Sequence, residues 1–352
     1  MKDPFVSKAR PETRRVVKNS PVVCWHRDAA DGPVRLCWAL LLTLLALSSS
    51  WAESAEPRRL TFDGQVKTAP VFVEGGKALV YSAQTRFNQL TLRRIPVDVN
   101  DVASKATPET LHPSATTSEL SPAYSKDEQV FSYIRNNGNL HVALVIEDRA
   151  AAQTREVDPG GGFAGIQYAT VAPNGKRIAF AFPERGGGQQ IWEIGVDGQD
   201  KRALTSESSF DSCPAYSPDG RLLAFASTRS GNFDIQVMTL PGGVINPVTS
   251  HRGIDLHPSW SPDGRRIAYT SLRGGNYDVF VVDADTAPPL VDTADDAVID
   301  LESNVPDPQA VRVTTHAERD DYPTWHPAGR HLVTVSERNG RHDLYLWEVR
   351  PQ

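Results

Sequence analysis

From residue 57 onward the chain repeats one pattern of apolar and polar positions. A short run apolar at nearly every position appears as "ALVYS", "QVFSY", "RIAFAF", "LLAFAS", "RIAYTS" and "HLVTVS". Each run follows a four-residue turn, and the turns start at residues 73, 125, 172, 217, 261 and 326. An apolar or aromatic residue precedes every turn: Phe72, Tyr124, Val171, Tyr216, Trp260 and Trp325. After the run comes a polar Gly/Asn turn such as "RSGN", "RGGN" or "RNGR", then an alternating stretch such as "FDIQVM" or "YDVFVV". A last short stretch ends in Leu-Thr or Val-Thr, as in "RALTS", "NPVTS" and "VRVTT". Four strands per period of about 45 residues is the signature of a propeller blade. The run that is apolar on both faces suits a sheet packed between two neighbours. The spacing therefore predicts an all-β, six-bladed β-propeller over residues 57–352, with four-stranded antiparallel blades.

The last blade reaches only "DLYLWEVRPQ" and lacks a fourth strand, whereas "RRLTF" (58–62) precedes the first blade and has fourth-strand character. The expectation is that this N-terminal strand completes the last blade and closes the ring, which removes an open sheet edge.

The first 52 residues differ from the rest. Leu36–Leu47 is an apolar run preceded by Arg35 and followed by the small-x-small triplet Ser50-Trp51-Ala52. It is shorter than the roughly 20 residues that span a bilayer, and it reads as the core of a signal peptide over 34–52. Residues 1–33 are too long for an ordinary leading region and read as upstream sequence ahead of a start near Val34. The expectation is an exported, periplasmic protein with no stable membrane span after cleavage; the alternative is an N-terminal membrane anchor. Cys24 and Cys37 fall in the leader and leave Cys213 alone, so the fold has no internal disulfide to rely on. Without residues 1–52 the chain carries 29 basic against 39 acidic side chains. That balance argues against a nucleic-acid partner.

The core "P-x-[WY]-S-P-D-G-x-x-[IL]-A-[FY]", followed by "R-x-G-N-[FY]-D-[IV]", resembles the TolB-type (WD40-like) β-propeller repeat. The resemblance covers about residues 57–352 and is most specific in the fourth and fifth copies. It implies a six-bladed, periplasmic, monomeric propeller that binds a protein or cell-envelope component, with a Pal-like lipoprotein among the partners implied. The chain departs from TolB in that its repeats begin almost directly after the leader, with no room for the α/β domain that precedes the propeller there. Related propellers also occur in prolyl-oligopeptidase-type peptidases and in polysaccharide lyases that hold a metal through histidines. No G-x-S-x-G elbow is present.

Two sets of residues stand out as a candidate site. Glu119, Asp211, Asp255 and Asp320 each lie three residues before a blade proline (Pro122, Pro214, Pro258, Pro323), where the chain enters the innermost strand near one mouth of the channel. They are read as a binding site for a cation or basic peptide, against the alternative that each carboxylate satisfies its own loop. Arg229/Asp234, Arg273/Asp278 and Arg338/Asp343 recur five apart across the next turn. They are read as hairpin-bridging ion pairs on the same face, against the alternative that the three arginines bind an anionic group.

No compact metal spacing occurs among the histidines, although His257 and His326 fall near inner strands and a fold-assembled site stays open. No P-loop, calcium loop or dinucleotide glycine pattern is convincing, and "DPGGGFAG" (158–165) leads into a strand, so no cofactor is expected. The segment 284–309 holds no Lys or Arg and is expected to be a surface insertion. The reading is a non-enzymatic binding module. A metal-assisted carbohydrate lyase or hydrolase, or a glycan- or ligand-binding propeller, stands as the alternative.

Overall fold

The computed structural model describes residues 56–349, except 102–104, 138–140, 159–164, 184–187, 207 and 285–309. The predicted leader, the glycine-rich 159–164 and nearly all of the acidic segment 284–309 therefore lie outside the described residues. The rest forms six four-stranded antiparallel sheets, with one helical element among the described residues, the 3₁₀ turn Glu74–Gly76.

The innermost strands are Lys67–Val73, Ser118–Tyr124, Gln167–Val171, Asp211–Tyr216, Asp255–Trp260 and Asp320–Trp325. The apolar runs form the second strands. Ala224, Phe225 and Ala226 are fully buried, as are Ile267, Ala268 and Tyr269. Burial on both faces follows from packing between blades. One cluster joins Ala224, Ala226, Ile235 and Val248 of the fourth blade to Trp260, Ile267, Tyr269 and Phe280 of the fifth. The Trp260 indole N–H also donates to the Ala215 carbonyl at 3.0 Å. Trp260 thus acts as a peg into the preceding blade, with its polar edge satisfied there.

The recurrent Leu-Thr and Val-Thr endings have a common physical cause. The hydroxyls of Thr205, Thr249 and Thr314 accept the backbone N–H of Ile191, Ile235 and Val279 at 2.9–3.0 Å. Each replaces a ladder acceptor where the fourth strand leaves the sheet, so a buried N–H is not left unpaired. Thr61 does the same for Leu344 N at 3.0 Å. Arg58 and Arg59 pair with Leu346 and Tyr345, and Leu60 sits 7% exposed in the core. The N-terminal strand therefore completes the last blade and closes the ring, as its fourth-strand sequence predicts.

The Ser-Pro-Asp-Gly turn is a self-contained corner. Ser217 Oγ donates to Asp219 Oδ1 at 2.6 Å, Arg221 N donates to the same oxygen at 3.0 Å, and Leu222 N donates to Ser217 Oγ at 2.9 Å. The Ser261/Asp263 and Ser125/Asp127 turns repeat the bond between side chains. Gly220 has φ +72°, and a Cβ there would lie 3.5 Å from Pro173 in the preceding blade's turn. Glycine is used here for conformation more than for space. The turns abut one another on one face of the propeller.

Candidate functional site

The opposite face carries the predicted residues, and the structure places all four acidic side chains in the interior. Glu119 is 1% exposed, and Asp211, Asp255 and Asp320 are at 0%. Asp211 accepts both its Arg229 Nη2 contacts at 3.1 Å and a hydrogen bond from Ser209 Oγ at 3.0 Å. Asp320 accepts from Arg338 Nη2 at 2.9 Å. Burial pushes the Asp320 carboxyl above the usual carboxylate range, against the lowering pull of Ser336 and Arg338. Glu119 pairs with His112 Nδ1 at 2.8 Å, and this hydrogen bond raises the His112 pKa against the opposing effect of burial. Asp255 lies opposite Ser271 in the strand register, as Asp211 does Ser227 and Asp320 does Ser336.

The structure corrects the expected five-apart ion pairs. Arg338 reaches the innermost strand's Asp320, while Asp343 is taken by Arg59 at 2.5 Å, Thr61 at 2.7 Å and Lys67 at 3.3 Å. Arg229 likewise turns to Asp211, and Asp278 binds Arg312 at 2.6 Å and Thr314. Asp234, Asp278 and Asp343 stand directly opposite Ser227, Ser271 and Ser336, and the same serines pair on their other side with Asp211, Asp255 and Asp320; Arg229 and Arg338 take the inner-strand carboxylate of the two. Arg273 donates to Ser271 Oγ at 2.8 Å and to the Tyr269 hydroxyl at 2.9 Å, and its guanidinium lies 4.2 Å above the Phe280 ring. The three arginines are thus held in fixed poses on one face, with Arg229 27% and Arg338 14% exposed.

A second set of residues is organised by the channel itself. In every blade the innermost strand breaks register midway, between Thr68/Val71, Leu120/Ala123, Gln167/Thr170, Ser212/Ala215, Leu256/Ser259 and Asp321/Thr324. Such a bulge turns an extra residue out of the ladder. That residue has positive φ in all six: Ala69, Ser121, Tyr168, Cys213, His257 and Tyr322, between +49° and +52°. A left-handed non-glycine residue costs about 1–2 kcal/mol, so the sheet imposes this geometry. Their side chains line one cavity of about 130 Å³ on the propeller axis. The polar members meet there: His257 stacks on Tyr322 with centroids 4.0 Å apart and lies 5.5 Å from Tyr168.

Sequence reasoning looked three places before each proline and missed the residue one place before it. The available signal was the recurrence of Pro70, Pro122, Pro214, Pro258 and Pro323 behind a position whose identity changes from blade to blade. His257 lies in this cavity; His326 lies elsewhere, edge-on to Phe72. Among the described residues, no three His, Cys, Asp or Glu side chains converge as a metal-binding set. No helix among them is long and apolar enough to cross a membrane.

Comparison with known proteins agrees with this architecture. A model of the TolB β-propeller domain matches residues 99–249 and 210–298, which together span more than half of the chain. A protein TolB homolog from Chlorobium chlorochromatii (strain CaD3) is 32% identical over 110 residues, covering 31% of this chain and 24% of that protein. The chain thus matches about a quarter of the length of that relative. The crystal structure of TolB from Acinetobacter baumannii superposes with a TM-score of 0.58 at 20% identity, over 80% of this chain and 66% of that one. An oligogalacturonate lyase from Vibrio parahaemolyticus gives 0.50 at 13% identity, over 83% and 93%. At such identities the solved structures speak for the fold, and the domain match supplies the assignment: this chain belongs to the TolB β-propeller family.

Proposed function

We propose that this protein is a non-enzymatic, exported propeller that binds a protein or cell-envelope component, a Pal-like lipoprotein being one such partner, through the face carrying Arg229, Arg273 and Arg338. The observation that carries the reading is that these arginines are pre-set. Buried Asp211 and Asp320 hold two of them, and the Phe280 ring, Tyr269 and Ser271 hold the third. A guanidinium already ordered loses less entropy when it binds a carboxylate or other anionic group. In this reading Glu119, Asp211, Asp255 and Asp320 act from behind the surface and shape the loops that a partner meets. The protein works as a monomer in the periplasm, delivered there by the leader, and needs no cofactor. The second reading is a metal-assisted carbohydrate lyase, which the likeness to an oligogalacturonate lyase favours.

The test is capture of solubilised cell-envelope proteins on the immobilised chain. Three baits are compared: the wild type, an Arg229→Gln/Arg273→Gln/Arg338→Gln variant, and an Asp219→Asn/Asp263→Asn variant of the opposite face. The expected result is one envelope protein held by the wild type and the opposite-face variant and lost about tenfold or more from the arginine variant. Equal capture by all three would remove this face from the reading. Cleavage of oligogalacturonate by the purified chain with a divalent cation would establish the lyase instead.

A further inference from the structure

The channel cavity holds one arrangement that partner binding does not use. Cys213 and His257 occupy equivalent bulge positions in neighbouring blades, both at φ +51°. Both line the cavity on the axis, and the thiol donates to Ser212 Oγ at 3.6 Å. The imidazole ring is fixed: His257 Nδ1 lies 2.7 Å from Asp321 Oδ1. Asp321 is in turn held by Thr270 Oγ1 at 2.8 Å, by its neighbour's backbone N–H at 2.7 Å and by Arg319. With Nδ1 committed to the carboxylate, Nε2 is the free end of the ring. That nitrogen is buried without a hydrogen-bond partner, on a side chain 8% exposed. A buried unsatisfied polar atom is uncommon and calls for a ligand or a reactive partner. Cys213, the one cysteine after residue 52, lines the same cavity.

We propose that Cys213 is a nucleophilic thiol whose thiolate is sustained by the His257 imidazolium in the same cavity, with Asp321 as the positioning residue, and that it captures small carbon electrophiles entering the channel. The thiolate is the attacking form of a cysteine, and a neighbouring imidazolium is an established way to sustain it. The electrostatics agree. Burial opposes a charge on His257, but the Asp321 carboxylate outweighs it and the pKa rises to about 10. Burial alone would raise the Asp321 carboxyl, yet His257 and Arg319 hold it well below the carboxylate range. The other ionisable groups facing the pair are the phenols of Tyr168 and Tyr322, which burial pushes upward, so both stay neutral near pH 7. The cavity walls are the prolines of five blades, and its volume of about 130 Å³ selects compact, uncharged reagents. With iodoacetamide as the probe, the sulfur electron pair forms the S–C bond, the C–I bond breaks and iodide leaves. The thiol proton leaves to solvent before the attack, and the His257 imidazolium keeps the proton it already carries.

The experiment follows alkylation of Cys213 in the intact chain by peptide mass mapping from pH 6 to 9, native and in urea. An unassisted thiol gains about tenfold in rate per pH unit below its ordinary pKa. The expected native rate at pH 6 exceeds the unfolded rate by about tenfold and changes less than about threefold up to pH 9. Asp321→Asn and His257→Gln are expected to lower the pH 6 rate about tenfold and to restore the ordinary slope. Should either variant fail to fold, the wild-type profile decides alone. A native rate at pH 6 no faster than the unfolded one, or a tenfold rise per unit in the native protein, overturns the proposal.

Discussion

Asp219 and Asp320 lie at opposite ends of equivalent strand pairs, and their surroundings have little in common. Asp219 is nearly half exposed, accepts hydrogen bonds from Ser217 and Arg221 within its own turn, and has its pKa lowered to about 2 by them. Asp320 is buried and bound to Arg338 eighteen residues away, with its pKa raised by burial. The first carboxylate closes a corner with neighbours in sequence. The second ties an inner strand to an outer turn and holds a largely buried guanidinium in place. One face of the propeller is thus finished locally, and the other presents groups whose positions depend on the whole blade.

The largest effect should come from cutting the long-range tie. Asp320→Ala leaves a largely buried guanidinium without its counter-charge, which costs about 3 kcal/mol. Urea unfolding at pH 7 measures this, and a loss equal to that of Asp219→Ala would erase the distinction between the two faces.

Acid titration should separate the faces by sign. The lowered Asp219 pKa contributes stability that is present above the ordinary carboxylate value and is lost as pH falls towards about 2. The raised Asp320 pKa works the other way: its protonated form favours the folded state, and that contribution is lost as pH rises through the raised value. Between pH 5 and 3, Asp219→Asn should therefore make the fall in stability shallower, whereas Asp320→Asn should make it steeper. Unfolding midpoints across that range give the readout, and parallel curves would refute it.

The smallest effect belongs to the corner's backbone. Gly220→Ala has room for its methyl group but must keep a positive φ, at a cost of about 1 kcal/mol. Thermal unfolding would show it, and a loss several times larger would mean that the corner is packed more tightly than its neighbours indicate.

The sequence exposed the parts of the fold that are written locally. The turn, the apolar second strand and the Leu-Thr ending recur at a fixed interval, and "RRLTF" carries the same threonine that "RALTS" does, so ring closure was legible before any coordinates. Partners in the site were less so. The spacing of Arg338 and Asp343 suggested a pair, but Arg59, Thr61 and Lys67, far off in sequence, occupy that aspartate, and Arg338 takes Asp320. The channel was the least visible. His257 and Asp321 are 64 residues apart and meet only because adjacent blades converge on the axis. The recurring proline marks the position, but the residue in front of it varies among Ala, Ser, Tyr, Cys and His, so no periodic pattern shows which side chains meet.

Thr61 and Leu344 are 283 residues apart, yet they share one sheet. A chain made from its N-terminus holds the first of these almost from the start and must wait for the second. Until Arg341–Glu348 emerges, Arg58–Thr61 has no sheet to join, so the ring is sealed only once that strand has been made.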